Sequence, residues 1–352
     1  MRRALPILLA AIATMAIAAP TAFGASDPPG QQMGTSTYAV IGDTPYSTFQ
    51  IQHFPQDIAE INAAPNVSRV IHVGDIKSGS TRCDTADTDP NTGDYTQIKS
   101  NFDLFQDPLV YTPGDNEWTD CHRANNGGYV PTERLGVIRS MFFPVPGQTL
   151  GQNPASVDVQ SAAYPENVTW NESRVQFGMI DVPGSNNDWL PWFGAPRTQA
   201  QVDEVTNRTA ADLAWIDHIF SQAKASKAKA VVISTQADMW DPAFAGDASQ
   251  SDHFTPIVQA LAKRSLAWDR KVVLFNGDSH VYETDNPLGD PSTPQNQVYG
   301  VSGPVDNLMR ITVNGSTTPC HQWLELTIDP KSDAIFSWSR HGFANQAPGN
   351  GC

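Results

Sequence analysis

Cysteine is scarce in this chain, with four in 352 residues. No two of them stand at the close spacing that a thiolate zinc site uses, which excludes a Cys-based metal centre. Basic residues are also few, 22 Lys and Arg against 37 Asp and Glu, for a formal charge of −15. So acidic a chain lacks the basic face that nucleic acid or an anionic membrane requires, and neither is expected as a partner. An anionic substrate would need a local positive centre. Past the N-terminal stretch, no segment is apolar for long enough to span a bilayer. Neither an internal repeat nor an interdomain linker interrupts the chain.

The N-terminal stretch reads as a secretory signal. Arg2 and Arg3 supply its basic start, Leu5 to Ala19 its apolar centre, and Ala22, Gly24 and Ala25 the small residues of a cleavage site. The centre is short and interrupted by Pro6 and Pro20, which disfavours a membrane anchor. Residues 1–25 are therefore expected to be removed. Residues 26–352 then form a single domain, secreted or periplasmic and free of the membrane. In such a compartment the four cysteines are expected to form two disulfides, for which three connectivities exist. We pair Cys83 with Cys121, which would tie together the loops after two Gly-Asp turns, and Cys320 with Cys352 at the tail.

What the chain does have is a recurring strand end. Gly42-Asp43, Gly74-Asp75, Gly114-Asp115 and Gly277-Asp278 each follow a short apolar run: Tyr38–Ile41, Arg69–Val73, Leu109–Tyr111 and Lys271–Phe275. A run closed by Gly and Asp reads as a buried strand ending in a tight turn. Three further Gly-Asp pairs, at Gly93, Gly246 and Gly289, have no strand before them. In α/β sheets, sites form beyond the carboxyl ends of the strands, so the pattern aims four carboxylates at one edge. At ~5 Å and an effective dielectric of ~20, each such pair repels by about 3 kcal/mol. Protons or a cation must relieve that repulsion.

The N-terminal half alternates strand and helix, with helices expected near Asp57–Ala63, Tyr95–Phe105 and Thr132–Phe142. The spacing between successive Gly-Asp turns leaves room for right-handed crossovers between parallel strands. A strand is expected at Arg174–Val182. The following helix carries Leu213, Ile216 and Phe220 on one face, and next come a strand at Ala230–Thr235 and a helix near Pro256–Ala267. The final part reads as strands at Gln297–Val301, Leu308–Val313, Trp323–Ile328 and Ala334–Ser339. Parallel units followed by antiparallel strands indicate an α/β fold of two packed sheets with helices outside.

The order of these motifs resembles the calcineurin-like metallophosphoesterase superfamily. That family carries Asp-x-His, Gly-Asp, Gly-Asn-His-Asp/Glu, a lone His after a strand, and Gly-His-x-His. The matching stretches here are Ile41-Gly-Asp-Thr-Pro-Tyr46, Val73-Gly-Asp-Ile-Lys77, Pro113-Gly-Asp-Asn-Glu-Trp118, Val232-Ile-Ser-Thr-Gln236 and Asn276-Gly-Asp-Ser-His280. The resemblance covers most of residues 26–352. It implies a four-layer α-β-β-α sandwich with two mixed β-sheets, and a two-metal site that hydrolyses a small phosphorylated substrate. It also implies Asp43 and His280 as ligands of a first metal, Asp75 as a bridge, and Asp115 in the second-metal position the family gives to Asn.

The departures define the chemistry. Pro45 stands where the family has a ligating His, Gln236 replaces the lone His, and Asp278 replaces the first His of the last motif. Asp and Gln oxygens can coordinate, so one or two divalent ions are expected on Asp43, Asp75, Asp115, Gln236, Asp278 and His280. The oxygen-rich set favours Mn, Mg or Ca over zinc or iron. Asn116 occupies the place of the family's proton-donating His, and His122 and Lys77 are the nearest substitutes in sequence. Glu117 matches the family's acidic residue and is expected to orient its loop, and Tyr46 to line the site. His72, inside an apolar strand, reads as a core histidine. Two other readings stand beside the phosphoesterase. One is a non-catalytic, ligand- or partner-binding member of the same fold. The other is a serine esterase using Gly277-Asp-Ser279, which lies late in the chain and lacks a following Asp-x-x-His pair.

Overall fold

The computed structural model describes residues 34–347 except 88, 90 and 91. The expected signal segment and Cys352, the second half of the tail disulfide, lie outside the described residues. In chain order the elements are β1 (Ser36–Ile41), α1 (Thr48–Ala63), β2 (Val67–His72), α2 (Tyr95–Phe102), β3 (Leu109–Tyr111) and α3 (Pro131–Phe142). There follow β4 (Asp158–Ser161), β5 (Tyr164–Glu172), β6 (Val175–Met179), a one-turn element α4 (Gly184–Asp188), the long α5 (Gln199–Ala225) and β7 (Ala230–Ser234). The remainder comprises α6 (Ala248–Ser251), α7 (Thr255–Trp268), β8 (Val272–Asn276), β9 (Glu283–Asp285), α8 (Pro294–Val298), β10 (Leu308–Thr312), β11 (Gln322–Ile328) and β12 (Phe336–Gly342).

The strands form two mixed sheets. One runs β12-β11-β1-β2-β3, and the other runs β4-β5-β6-β7-β8-β10-β9. Within the first, β1, β2 and β3 are parallel while β11 and β12 are antiparallel. Within the second, β6, β7, β8 and β10 are parallel. Strand alternation assigns the layers, because successive side chains point to opposite faces. Tyr38 and Val40 of β1 join Val232 of β7 and Val273 and Phe275 of β8 in one apolar cluster between the sheets. Ala39 and Ile41 of β1 face the other way, onto α1, α2 and α3 through Phe54, Ile58, Ile98, Phe102 and Ile138. Val231 and Ile233 of β7 likewise face α5 and α7 through Ile216, Ile219, Val258 and Leu261. Helices thus cover the outer face of each sheet. Among the described residues no helix is long and apolar enough to cross a membrane.

Several elements differ from the sequence expectation, each for a local reason. Helix α1 begins at Thr48, before Pro55, where the sequence suggested a start near Asp57. Ser47 caps it, accepting from Gln50 N at 3.2 Å while Gln50 Oε1 accepts from Ser47 N at 3.3 Å. Burial of Ile51 and Phe54, about 1.5–3 kcal/mol each, offsets the roughly 3 kcal/mol of an interior proline. The stretch expected as a strand at Gln297–Val301 instead ends helix α8, whose Thr293 cap accepts from Asn296 N at 3.3 Å ahead of Pro294. The β4–β5 hairpin and β9 had no counterpart in the sequence reading. Strand β10, expected in an antiparallel group, pairs antiparallel with β9 and parallel with β8.

The Cys83–Cys121 disulfide is present, with Cα atoms 5.7 Å apart. Both cysteines are fully buried, and the bridge joins the loops that follow Asp75 and Asp115. Replacing both by Ser is expected to lower stability by about 3 kcal/mol, measured as a reduced urea midpoint. An unchanged midpoint would show that the loops hold without the bridge.

Candidate metal centre

The carboxyl ends of the parallel strands from both sheets meet at one place. β1, β2 and β3 deliver Asp43, Asp75 and Asp115, while β8 delivers Asp278 and His280. Two sets of side chains have ligand atoms within 4.8 Å of one another: Asp43, Asp75 and His280, and Asp75, Asp115 and Asp278. Asp75 belongs to both. Asp43, Asp75 and Asp115 are buried, and Asp278 and His280 are partly so.

Close approach depends on the glycines. A Cβ on Gly277 would lie 2.3 Å from Asp43 Oδ2, and one on Gly114 would lie 2.1 Å from Asp75 Oδ1. Asp43, Asp75 and Asp278 all have positive φ, at 50°, 59° and 74°. Backbone of this kind is uncommon outside glycine and concentrates at functional sites.

Hydrogen bonds aim the carboxylates. Asp278 N donates to Asp43 Oδ1 at 2.9 Å, leaving the buried Asp43 Oδ2 without a partner. Tyr46 OH donates to Asp75 Oδ2 at 2.8 Å, and Asn116 reaches Asp75 twice, by Nδ2 at 2.7 Å and by its backbone N at 3.2 Å. Asp115 accepts from Ser185 Oγ at 2.9 Å and from Gln236 Nε2 at 3.2 Å. His280 Nδ1 lies 2.6 Å from Thr317 Oγ1, and its Nε2 lies 3.5 Å from Asp43 Oδ1. That orientation of one ring nitrogen by a second residue is typical of ligating histidines. Buried Glu117 accepts from Gly114 N at 2.7 Å, Tyr111 OH at 2.7 Å and Asp75 N at 3.1 Å. It ties the second and third Gly-Asp turns together.

The cluster does not suit four negative charges. Burial, then the fields of Asp115 and Glu117, push Asp43 up to about 8. Burial and the neighbouring Asp115 hold Asp75 and Asp278 well above the usual carboxylate range. Burial pushes His280 down, so the Asp43–His280 contact is not a strong ion pair. An unpartnered carboxylate oxygen, raised carboxyl pKa values and a five-member donor set of one imidazole and four carboxylates together fit hard divalent cations.

Three residues expected at the reacting centre have other partners. The amide oxygen of Gln236, expected to coordinate metal, accepts from Gly184 N, and its nitrogen faces Asp115. Lys77 is buried, with Nζ donating to the carbonyls of Ser78 at 2.8 Å and Asn116 at 2.7 Å. Burial pushes it down to about 8, and it holds the loop of Asn116 rather than facing the cavity. His122 is half-buried, its Nδ1 2.7 Å from Thr119 O and its ring against Phe193. Neither Lys77 nor His122 lines the cavity above the aspartates, which has a volume of about 490 Å³.

The sequence reading expected the loop after Gly184 to shape the pocket but named no residue in it; the structure places the turn α4 there, over the centre. Ser185, Asn186, Asn187 and Asp188 all take left-handed backbone, with φ from 52° to 63°. Each non-glycine residue so placed costs about 1–2 kcal/mol, less for Asn and Asp. Arg208, fully buried on α5, holds the turn. It donates to Asp181 O at 3.0 Å, to Asn187 O at 3.1 Å and to Asn187 Oδ1. Gln201 Nε2 and Trp192 Nε1 bond Asp188, both at 2.8 Å. Ser185 Oγ thereby stands 2.9 Å from both Asp115 Oδ2 and Asp120 Oδ1. The available sequence signal was position, since Gly184 follows β6 on the same edge as the four Gly-Asp turns.

No protein-family model matches the chain, and no curated protein matches it. Among solved structures it is similar to "GAP50 the anchor in the inner membrane complex of Plasmodium", with a TM-score of 0.42 at 11% identity over 89% of this chain and 90% of that one.

Two outcomes are expected from this geometry. Arg208→Met leaves the buried Asp212 and the partly buried Glu204 without their cation and should lower stability by about 3–5 kcal/mol in thermal or urea unfolding. The raised Asp43 carboxyl binds a proton in the folded, metal-free state that the unfolded chain releases above the ordinary aspartate value of 3.8. That contribution is complete below this value and lost as pH rises through about 8. Chelator-treated protein should therefore melt lower at pH 8 than at pH 5, and added Mn²⁺ should reverse the loss at pH 8. A higher melting temperature at pH 8 without metal would contradict the proton-held cluster.

Proposed function

We propose that this chain is an exported, divalent-metal-dependent phosphoesterase, related to the calcineurin-like metallophosphoesterases and distinguished by a carboxylate-rich centre. The observation that carries this reading is the pair of ligand triads sharing Asp75. Asp43, Asp75 and His280 would hold one cation, and Asp75, Asp115 and Asp278 the other. Mn²⁺, Mg²⁺ or Ca²⁺ suits this donor set. Bound cations of this kind polarise a phosphoryl oxygen and lower the pKa of bound water. They would also provide the local positive charge that so acidic a chain otherwise lacks. Export accords with the N-terminal signal pattern and with the buried disulfide.

The chain's own residues prepare the site. Tyr46 and Asn116 fix the bridging carboxylate from the cavity side. Glu117 fixes the turns beneath it. Glycines at the strand ends bring backbone N–H groups against the carboxylates. Gly184 and Ser185 close the side next to Asp115. The cavity beyond is large enough for a small organic ester.

A second reading, a ligand-binding protein without turnover, is favoured by one observation. Asn116 has no ionisable proton, its amide is engaged by Asp75, and Lys77 and His122 bond backbone carbonyls instead. The two readings separate on one set of measurements: metal content and phosphoester hydrolysis of the wild type, Asp75→Ala and Asn116→Ala. The phosphoesterase is expected to carry at least one equivalent of metal and to lose it in Asp75→Ala. Asn116→Ala should weaken metal affinity or activity by about 10–100-fold, as for other residues that orient a ligand. Metal without turnover on any ester would establish the binding protein. No metal after Mn²⁺ or Ca²⁺ is supplied would refute the phosphoesterase and leave the binding protein.

A further inference from the structure

Resting on the phosphoesterase reading, we infer that the cavity selects phosphate esters of apolar, acidic alcohols, aryl phosphates above all, that carry no second anionic group. Three features of the cavity point the same way.

The first is its apolar wall. Beyond the aspartates, Leu190, Met239, Phe244 and Phe254 supply apolar lining, Met239 and Phe254 almost fully buried. Phe244 is 44% exposed although large and apolar, and it stands on the short turn Pro242–Phe244. A ring leaving water against these side chains buries more apolar area than a short alkyl alcohol or a sugar, and it can pack edge or face against Phe244.

The second is charge. Asp120, Asp238 and Asp241 line the cavity in addition to the metal-site carboxylates. Arg310 neutralises Asp238 from behind the wall. Arg123 is the one Lys or Arg among the described lining residues, and its guanidinium is 2.6 Å from Asp120. Asp241 Oδ1 accepts only from Ala243 N, at 2.8 Å, and no ion pair to it is formed among the described residues. A second phosphate or a carboxylate on the substrate would therefore face uncompensated negative charge. The single guanidinium in the lining, Arg123, already pairs with Asp120, so a second anion would have to compete for it.

The third is the leaving group. Asn116, Lys77 and His122 offer no free proton donor at the centre, the Tyr46 hydroxyl is committed to Asp75 Oδ2, and the Asp120 carboxyl accepts from Ser185 and pairs with Arg123. Hydrolysis without one suits an alcohol that departs as an anion. Water's oxygen bonds to phosphorus, and the bond from phosphorus to the aryl oxygen breaks with its electron pair on the phenolate. Both hydrogens of water stay on the dihydrogen phosphate product. A phenol tolerates that charge far better than an aliphatic alcohol.

The test uses the Mn²⁺-loaded protein and two phosphonates that cannot be hydrolysed, benzylphosphonate and 3-phosphonopropionate, with binding read by calorimetry. Benzylphosphonate should bind at least about ten-fold tighter, the scale of hydrophobic-pocket discrimination. Phe244→Ala should remove most of that advantage while leaving 3-phosphonopropionate unchanged. Asp241→Asn should strengthen 3-phosphonopropionate alone. Hydrolysis is measured in parallel on phenyl phosphate and 2-carboxyethyl phosphate. Equal or tighter binding of 3-phosphonopropionate, or comparable hydrolysis of the two esters, overturns this selectivity and leaves the phosphoesterase standing. Selective binding of benzylphosphonate with no hydrolysis of either ester supports the pocket's selectivity and removes catalysis. Failure of both phosphonates to bind the metal-loaded protein overturns the selectivity, whatever the hydrolysis shows.

Discussion

Four carboxylates at the seam between two sheets, three of them buried and Asp278 partly so, are the constraint that the rest of this structure answers. At ~5 Å and an effective dielectric of ~20, any two of them repel by about 3 kcal/mol. Several such pairs together approach the 5–15 kcal/mol that holds a typical domain folded. Protons or divalent cations must occupy the cluster for the fold to persist. The burial that raises Asp43, Asp75 and Asp278 above the ordinary carboxylate range is the same burial that gives a bound cation its advantage. The glycines, the positive-φ aspartates and the backbone N–H groups at the strand ends are means of bringing these charges together.

Charge elsewhere in the protein is organised to hold that seam in shape. Glu117 gathers two N–H groups and a tyrosine hydroxyl under the second and third turns. Lys77 takes the carbonyls around Asn116. Arg208, with no exposed surface, holds a left-handed turn that the backbone alone would resist. Lys77 and Arg208 gain partial compensation from neighbouring carboxylates, Arg208 from Glu204 at 2.8 Å. Such residues act on the chemistry only through the positions of others. The cavity is left with carboxylates, small polar groups and apolar side chains.

The elements legible in the sequence were those whose burial pattern is local. Strands β1, β3, β7 and β8 lie within apolar runs closed by small or polar residues, and α5 and α7 show a helical stripe. Where tertiary contacts outweigh local preference, the sequence misled. Pro55 suggested a later helix start, yet Ile51 and Phe54 are buried ahead of it. The stretch at Gln297–Val301 looked extended, but the Thr293 cap and the side-chain bonds of Asn296 to Pro287 O and Asp290 O, at 2.7 and 2.8 Å, wind it into a helix. The site was legible in the same uneven way. Repetition of Gly-Asp marked four of its carboxylates, and the following Ser-His marked His280. Tyr46 was expected only to line the pocket, and Ser185 was not anticipated. Their roles depend on which turn lies opposite.

From its own order the chain determined two parallel units, the strand ends at which chemistry collects and the carboxylate-rich character of that edge. These follow from periodicity, turn chemistry and residue type, each of which acts over a few neighbours. Only the tertiary structure decided that Asp43 and Asp278, 235 positions apart, share one hydrogen bond. The folded chain also decided that Asp75 belongs to both triads, that Gln236 turns its oxygen to Gly184, and that Lys77 and His122 bond backbone carbonyls. Those outcomes depend on how two sheets pack face to face and which strand ends then coincide. No short-range pattern encodes that packing, because its energy comes from apolar contacts between residues far apart in the chain.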